Sequence, residues 1–264
     1  MTLLRQLLAE YRNAWHVALE YRLAIFIWMV SMVLPLIMLA AWLSIAEGGP
    51  VGRFSRTDFI EYYVAAILVR NLTGVWIIWS MDAQIRGGEM SFRLLKPMNP
   101  IVHYVAESLS AKPLRLAMLL PIVTTAAYFV PEIHFEVSPS MLTLFSISVA
   151  GTWTMLFLIQ YLNGLLGFWI TQAIGVNDLW FGVFSLLSGY LIPLDLFPPF
   201  LRDLLYSLPF RYMMSFLIEV LTGRIGVPAI LRDIGAQWAW VDVFYVIYRV
   251  VWMRGLRRYS AVGA

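Results

Sequence analysis

Two long stretches without any charged side chain limit what this chain can fold into. No charge occurs from Leu23 to Ala46, and none occurs from Val137 to Asn177. At 1.5 Å per residue, the first stretch makes a helix of about 36 Å, longer than the roughly 30 Å hydrocarbon core of a bilayer. Of the 264 residues, 61% are hydrophobic and 13% are charged, against about 45–50% and about 25% in soluble domains. The sequence therefore predicts an all-α integral membrane protein.

Breaks between the apolar stretches divide the chain into six predicted transmembrane helices within a single domain, residues 1–264. The predicted spans are residues 23–46, 59–81, 114–130, 142–174, 179–192 and 234–253. Pro35 should kink the first span, which helices in lipid tolerate. The charge-free stretch ending at Asn177 is too long for one simple span, so we expect two antiparallel helices joined by a tight turn from Gly175 to Asp178.

The first 22 residues have the pattern of an amphipathic helix. Apolar residues recur at spacings of three and four, with Arg5 and Arg12 among the remaining positions. Such a helix suits the membrane interface, and the alternative is a solvated helix that packs on a partner. No short apolar core followed by a small-residue cleavage site occurs here, so we expect no cleaved signal peptide.

Residues 193–232 cannot form one long helix, because prolines interrupt their first half. These are Pro193, Pro198, Pro199 and Pro209. The apolar segments between them are too short to cross a bilayer. We expect short re-entrant or interfacial helices in this region, surrounded by protein or water instead of lipid.

The positions of Lys and Arg predict the orientation, since positively charged loops stay in the cytoplasm. Six spans place both termini on one side, and the segments on that side hold twelve of these residues against six in the opposite loops. The twelve are Arg5, Arg12, Arg22, Arg86, Arg93, Lys96, Lys112, Arg115, Arg249, Arg254, Arg257 and Arg258; the six are Arg53, Arg56, Arg202, Arg211, Arg224 and Arg232. We expect a multi-pass protein of the cytoplasmic (inner) membrane with both termini in the cytoplasm.

Residues 83–112 form a loop between the second and third predicted spans, where charged and apolar residues alternate. Two prolines, Pro97 and Pro100, close its central part. Two interpretations fit this pattern equally: a small amphipathic surface for a soluble partner, or a positively charged cytoplasmic loop with no further role.

The loop resembles the one that follows the second span in permease subunits of the type-two ABC exporter family. Those subunits carry an isoleucine, a basic residue, glycine and glutamate, and then an apolar Leu-Leu-basic-Pro stretch. The matching positions are Gly88, Glu89, Leu94, Leu95 and Pro97. The resemblance implies a cytoplasmic segment that couples the permease to its ATPase subunit through these residues, together with Arg86, Phe92 and Arg93.

A second segment is similar to the family's Gly-x-x-x-Pro-x-x-x-Phe-Pro run and the Pro-Phe that follows it. The matching residues are Gly189, Pro193, Phe197, Pro198, Pro209 and Phe210. In the family, the chain dips back into the outer leaflet between spans five and six and forms an extracellular gate. The tail from Arg257 to Gly263 also resembles the C-terminal end of many members.

The resemblance implies a function and a set of partners. A permease of this kind moves an amphipathic or lipid-like organic compound, such as a drug or natural product, out across the membrane. The chain has no Gly-x-x-x-x-Gly-Lys-Ser/Thr run to hold phosphates. ATP and Mg²⁺ are therefore expected on a separate ABC ATPase subunit, in two copies. A second permease subunit, identical or related, would complete the pathway beside membrane lipid.

We assign no catalytic residue, cofactor or metal site to this chain. It has no Cys, and its three histidines show no metal-ligand spacing. The net charge of +3 is too small to suggest a nucleic-acid partner.

Two charges fall inside the predicted spans, Arg70 in the second and Asp242 in the sixth. A charge at the bilayer centre costs about 2.5–3.5 kcal/mol to insert, so pairing is expected. We predict that Arg70 and Asp242 lie at similar depth and neutralise each other as a structural ion pair. Glu61 and Glu219 are the competing partners.

Polar residues on the predicted fourth span, Gln160 and Asn163 among them, and Asn177 beyond it have two interpretations. They hold helices together, or they line a pathway.

Two other functions compete with a permease. A secondary transporter needs inverted repeats with broken helices in both halves, whereas here the prolines break only the C-terminal part. A membrane-embedded enzyme needs a cluster of titratable groups at one depth, and Arg70 and Asp242 alone make a weak cluster.

Overall fold

The computed structural model describes residues 3–30, 33–129, 135 and 138–258, and this part is helical with no β-strand. The α-helices are α1 (Leu3–Glu20), α2 (Arg22–Val30), α3 (Leu34–Ile45), α4 (Arg56–Thr73), α5 (Ile78–Arg86), α6 (Glu89–Leu94), α7 (Ile101–Phe129), α8 (Pro139–Leu165), α9 (Ala173–Leu187), α10 (Pro199–Ser207), α11 (Ser215–Leu221) and α12 (Val227–Arg258). The predicted all-α fold is confirmed. Outside the described residues lie Met1, Thr2, Ser31, Met32 and Val130 of the predicted segments, and the tail from Tyr259.

The predicted first span contains two described helices. Helix α2 is described to Val30, and α3 begins at Leu34 with Pro35 in its first turn. Proline suits a first turn because the N–H that it lacks would have no partner there. The kink predicted at Pro35 depends on residues 31 and 32, which lie outside the described residues, so it stays a prediction.

A capping box starts α4. The Asp58 N–H donates to Ser55 Oγ at 3.3 Å, and the Ser55 N–H donates to the Asp58 carboxylate at 2.8 Å. Burial acts to raise the pKa of Asp58, but the hydrogen bonds from Ser55 and the charges of Arg224 and Arg53 outweigh it and hold this pKa below its usual value. The start of α4 is thereby fixed by local chemistry.

A non-helical break divides the predicted second span. Helix α4 ends at Thr73 and α5 begins at Ile78, so residues 74–77 connect two separate helices. Gly74 donates its N–H to the carbonyl of Arg70 at 2.9 Å, and a Cβ at this position would lie 2.8 Å from the same oxygen. Glycine therefore allows the tight exit from α4, four residues after Arg70.

Helix α7 begins well before the predicted third span. It starts at Ile101 instead of residue 114 and includes Pro113 and Pro121, so much of the predicted loop 83–112 is helical. Its early polar residues are covered by protein, since His103 and Glu107 face neighbouring helices. Hydropathy alone underestimates the length of a helix whose charged residues are shielded by neighbouring protein in this way.

The two predicted helices around Asn177 also have different ends. Helix α8 ends at Leu165 and α9 begins at Ala173, so the connection precedes Gly175 instead of including it. Gln160 Nε2 donates to Asn177 Oδ1 at 2.7 Å, and Asn163 Nδ2 reaches the same oxygen at 3.4 Å. These bonds hold the start of α9 against α8, and α9 is helical from Ala173, so the prediction of a turn there is wrong. Gln160 and Asn177 join the two helices and also line a cavity, so both interpretations of these polar residues stay open.

Helix α1 packs along the first part of α7. The Glu10 carboxylate accepts a hydrogen bond from His103 Nδ1 at 2.9 Å, and Gln6 donates to the carbonyl of Pro97 at 3.3 Å. Burial lowers the pKa of His103, and the bond to Glu10 offsets only part of this effect. Leu4 and Leu8 remain exposed on the other face of α1.

Helix α8 lies at the centre and packs on α4, α5, α9, α11 and α12. Gln237 of α12 fits against Gly151, where a Cβ would come within 2.5 Å of its Oε1. Its amide nitrogen donates to Thr152 Oγ1 at 2.8 Å and to the Tyr212 carbonyl at 3.2 Å. One buried amide thus joins α8, α12 and the segment before α11.

By length and composition, two helical stretches in the described part of the chain could each cross a bilayer. These are Arg56–Arg86, which includes the break at 74–77, and Pro139–Phe168. Two shorter apolar stretches are Leu34–Gly48 and Ala173–Leu187.

Candidate functional site

The segment predicted to contact an ATPase contains a short helix on a glycine turn. Gly88 has φ 77°, a left-handed conformation that glycine adopts without strain, and α6 follows it directly. Met90 of α6 is fully buried and anchors the helix to the core. The position of α6 is therefore defined by packing on the rest of the protein.

Apolar side chains project outward from this anchored segment. Phe92 is 71% exposed and Leu95 is 82% exposed. Glu89, Arg86 and Pro97 are also exposed, while Leu94 is half-buried against the core. The predicted coupling residues thus form a surface with two apolar side chains surrounded by charged ones, which we call the coupling surface.

A polar network fixes the orientation of α6. Arg93 Nε donates to Gln84 Oε1 at 2.6 Å, and the Tyr104 hydroxyl donates to the same oxygen at 2.8 Å. Arg86 forms a salt bridge with Asp82 one turn earlier in α5. Gln84 therefore connects α5, α6 and α7, so α6 is not a loosely attached loop.

The second predicted segment, residues 189–210, folds back against α4. The Tyr62 hydroxyl donates to the Gly189 carbonyl at 2.6 Å, and the Tyr63 hydroxyl donates to the Leu191 carbonyl at 2.6 Å. Of the predicted gate residues, Pro193 and Pro209 are buried, Phe197 and Phe210 are half-buried, and Pro198 is exposed. The backbone just after α9 is thus secured by two tyrosines of one helix.

Replacing Gly189 by alanine is expected to destabilise this segment by about 1–3 kcal/mol. Gly189 has φ 90°, and a Cβ would lie 2.7 Å from the Tyr62 hydroxyl oxygen. Thermal unfolding of the purified protein measures the effect. Gly182→Ala in α9 is the matched control, because a Cβ there meets nothing within 4 Å. Equal stability of the two variants would contradict this account of Gly189.

A buried ion triad lies beside the second segment. It involves Arg211, which counts as a loop cation in the sequence-based orientation, and Glu219, which is predicted as an alternative partner of Arg70. Arg211, only 3% exposed, donates to Glu219 at 2.7 Å and to Asp233 at 2.7 Å. Ser215 also donates to Glu219 at 2.9 Å. Two features of the sequence point to this triad. Arg211 lies two residues after Pro209, and Glu219 lies within the apolar Tyr212–Leu221 run.

The predicted ion pair between Arg70 and Asp242 is not formed. Asp242 is exposed on α12, whereas Arg70 is 5% exposed and contacts α9 and the segments that follow α4 and α9. Glu219 is occupied by Arg211. In the described part of the chain, Arg70 has no salt bridge with a carboxylate. The prediction is wrong because helix rotation, which hydropathy does not report, decides which side chains meet.

Aromatic rings surround Arg70 instead. Its guanidinium carbon lies 4.9 Å from the Trp76 ring centre, 5.4 Å from Phe181, 5.3 Å from Phe184 and 5.9 Å from Tyr190. A desolvated cation–π contact contributes about 2 kcal/mol or more. Several such contacts are enough to offset the cost of about 2.5–3.5 kcal/mol for a charge at the bilayer centre.

Two adjoining cavities open beside Arg70. The larger, about 600 Å³, is lined by residues of α2, α3, α4, α5, α7 and α9 and of the segments between them, and the smaller is about 240 Å³. Arg70, Trp28, Trp76, Trp79 and Phe181 line both of them. Trp28 is 71% exposed, which places it at the mouth of the cavities. The site is therefore aromatic, accessible and positively charged.

Two further cations lie close to Arg70. Arg115 lines the larger cavity, and Lys112 donates to the carbonyl of Gly74 beside it. The sequence assigned both residues to the cytoplasmic side, but α7 carries them into the bundle. Within the described residues, no group of three His, Asp or Glu side chains is arranged to hold a metal ion.

Comparison with known families matches the chain to one of them. A family model described as ABC-2 family transporter protein matches residues 26–263. The chain belongs to this family of ABC transporter permeases, as its resemblance to type-two ABC exporters implies. The match and the helical content together indicate a multi-pass membrane protein. No curated protein matches the chain.

Proposed function

We propose that this chain is the permease subunit of an ATP-driven exporter that moves an amphipathic or lipid-like organic compound out across the cytoplasmic membrane. In this proposal α1 lies at the cytoplasmic interface, six spans cross the bilayer, both termini are cytoplasmic, and residues 193–232 form an extracellular re-entrant gate. A separate ABC ATPase, in two copies, binds ATP and Mg²⁺. A second permease subunit, identical or related, completes the pathway.

The observation that carries the proposal is the coupling surface. An exposed pair of large apolar side chains is costly in water and marks a place where a partner binds. Phe92 and Leu95 stand on a helix anchored by buried Met90 and by the Gln84 network. A rigid apolar projection of this kind suits the transmission of movement from a soluble subunit. The apolar, aromatic cavities favour an amphipathic substrate.

Family membership favours this function over ion-coupled transport. The break at residues 74–77 falls in the N-terminal part, while the proline-rich region is C-terminal, so the two halves do not repeat each other as a secondary transporter requires.

Affinity purification from native membranes in mild detergent, followed by mass spectrometry, tests the proposal. We expect an ATPase chain with a phosphate-binding loop to be recovered with this chain. The ratio of any second permease to the bait then separates a heterodimer from a homodimer. Recovery of this chain alone, with membrane ATP hydrolysis independent of its presence, would refute the proposal.

A further inference from the structure

One buried cation and two half-buried ones have an electrostatic arrangement that a folded protein rarely leaves uncompensated. Arg70 and Arg115 line the same cavity, and Lys112 donates to the carbonyl of Gly74, four residues after Arg70. Within the described chain, no carboxylate pairs with any of them. Asp178 lines the smaller cavity but is exposed at its edge and forms no salt bridge with Arg70. The cluster therefore carries an excess of positive charge.

Unpartnered hydrogen-bond donors accompany this charge. Arg115 Nε and Trp76 Nε1 are buried and have no hydrogen-bond partner in the structure. Both residues line the larger cavity, as does Arg70. A buried donor without an acceptor is costly, and nearly all such groups in folded proteins find a partner. Donors and cations at one cavity wall together require an acceptor that carries negative charge.

The remaining walls are apolar or aromatic. Ala24, Ile25 and Leu34 come from α2 and α3, and Trp28, Trp79 and Phe181 add flat rings. A cavity of about 600 Å³ is large enough for a drug-sized organic molecule. Such walls suit the apolar body of a ligand whose charged group reaches Arg70 and Arg115.

We propose that this cavity binds an amphipathic molecule through its anionic group, a carboxylate, sulfonate or phosphate held by Arg70 and Arg115, with its apolar part against the tryptophans. Lys112, which donates to the carbonyl of Gly74, adds a further positive charge. This inference rests on the proposed function and deepens it by naming the class of substrate. The anion belongs either to a lipid headgroup or to a water-soluble amphipath, which share this chemistry.

A matched pair of fluorescent probes tests the site. 1-Anilinonaphthalene-8-sulfonate carries a sulfonate, and N-phenyl-1-naphthylamine has the same aromatic body without it. Each is titrated into the full chain in phosphatidylcholine nanodiscs, read by energy transfer from tryptophan and corrected with protein-free discs. We expect Arg70→Met/Arg115→Met to weaken sulfonate binding at least about tenfold and to change binding of the neutral probe less than about twofold.

Two controls keep the result interpretable. Arg70→Lys/Arg115→Lys retains both charges but not the planar guanidinium, so it should bind the sulfonate more weakly than the wild-type protein and more tightly than the Met variant. If the Met variant does not fold, the wild-type protein alone decides, since addition of salt should weaken binding of the sulfonate and leave the neutral probe unaffected. Equal loss of both probes, or unchanged sulfonate binding in the Met variant, would overturn the proposal.

The source of the anion and the dependence on the proposed function are tested separately. Weaker sulfonate binding in phosphatidylglycerol discs would support a lipid headgroup as the ligand, and unchanged binding would support a water-soluble amphipath. Probe binding uses this chain without an ATPase. Intact sulfonate binding without ATPase recovery would therefore refute the exporter and keep the site, and the reverse result would refute the site alone.

Discussion

Replacement of Arg211 by leucine is expected to cost about 3–5 kcal/mol of stability, because it leaves Glu219 and Asp233 buried without a counter-charge. Both carboxylates accept from this guanidinium at 2.7 Å, and the Arg211 side chain is 4% exposed. In a chain of this length, such a loss corresponds to a fall of roughly 6–20 °C in melting temperature. Thermal unfolding of the purified protein in detergent measures it.

Asp233 provides an internal control for this experiment. Arg232 Nε also contacts its carboxylate, at 3.0 Å, but the Arg232 side chain is 75% exposed. Solvent screens such a pair, so Arg232→Leu should cost only about 0–1 kcal/mol. The triple variant Arg211→Leu/Glu219→Gln/Asp233→Asn should recover much of the loss, since no buried charge remains unpaired. A similar effect of the two single arginine replacements would show that burial of the triad is not important.

Replacement of Phe92 and Leu95 by serine is expected to abolish recovery of the ATPase subunit with the permease. Large side chains at the centre of an interface contribute about 2 kcal/mol or more each, so losing one weakens binding about thirtyfold. Their exposure, 71% and 82%, means that their removal costs the free protein little. Quantitative mass spectrometry after affinity purification measures the ratio of ATPase to permease.

Phe200 is the matched control for the coupling surface. It is 79% exposed on α10, within the proline-rich segment that follows α9 and outside the coupling surface. Phe200→Ser should leave the ratio of ATPase to permease unchanged. Unfolding temperatures of both variants should stay close to that of the wild-type protein. Unreduced ATPase recovery with the Phe92→Ser/Leu95→Ser variant would contradict a coupling role for α6.

Sequence reasoning found the local features of this protein. Charge-free stretches predict helices because apolar side chains have only lipid or the core as a suitable environment. The alternation of charged and apolar residues in the loop 83–112 predicts a small amphipathic surface as one of two interpretations, and Phe92 and Leu95 are exposed there. Joining helices is one of the two interpretations predicted for Asn177, and its bond with Gln160 makes such a contact, although the predicted turn lies elsewhere.

The remaining features depend on which helix faces which. The aromatic rings around Arg70 come from three separate segments, and no residue spacing in the sequence indicates that they lie together. Lys112 and Arg115 count as cytoplasmic charges in hydropathy, which has no measure of shielding by neighbouring protein. Arg211 counts as a loop cation for the same reason. Membrane orientation predicted from the positions of Lys and Arg is therefore least informative where those charges are buried.

The break at residues 74–77 has a mechanical consequence. On the N-terminal side of the break, Tyr62 and Tyr63 of α4 donate hydrogen bonds to the backbone after α9. On its C-terminal side, α5 leads into α6. A continuous helix would act as a stiff rod and carry a push at one end straight to the other. Here the helix is interrupted between α4 and α5, and Trp76 in the interruption lines both cavities. A force applied to α6 would therefore change the shape of the cavity before it reached the far end of the molecule.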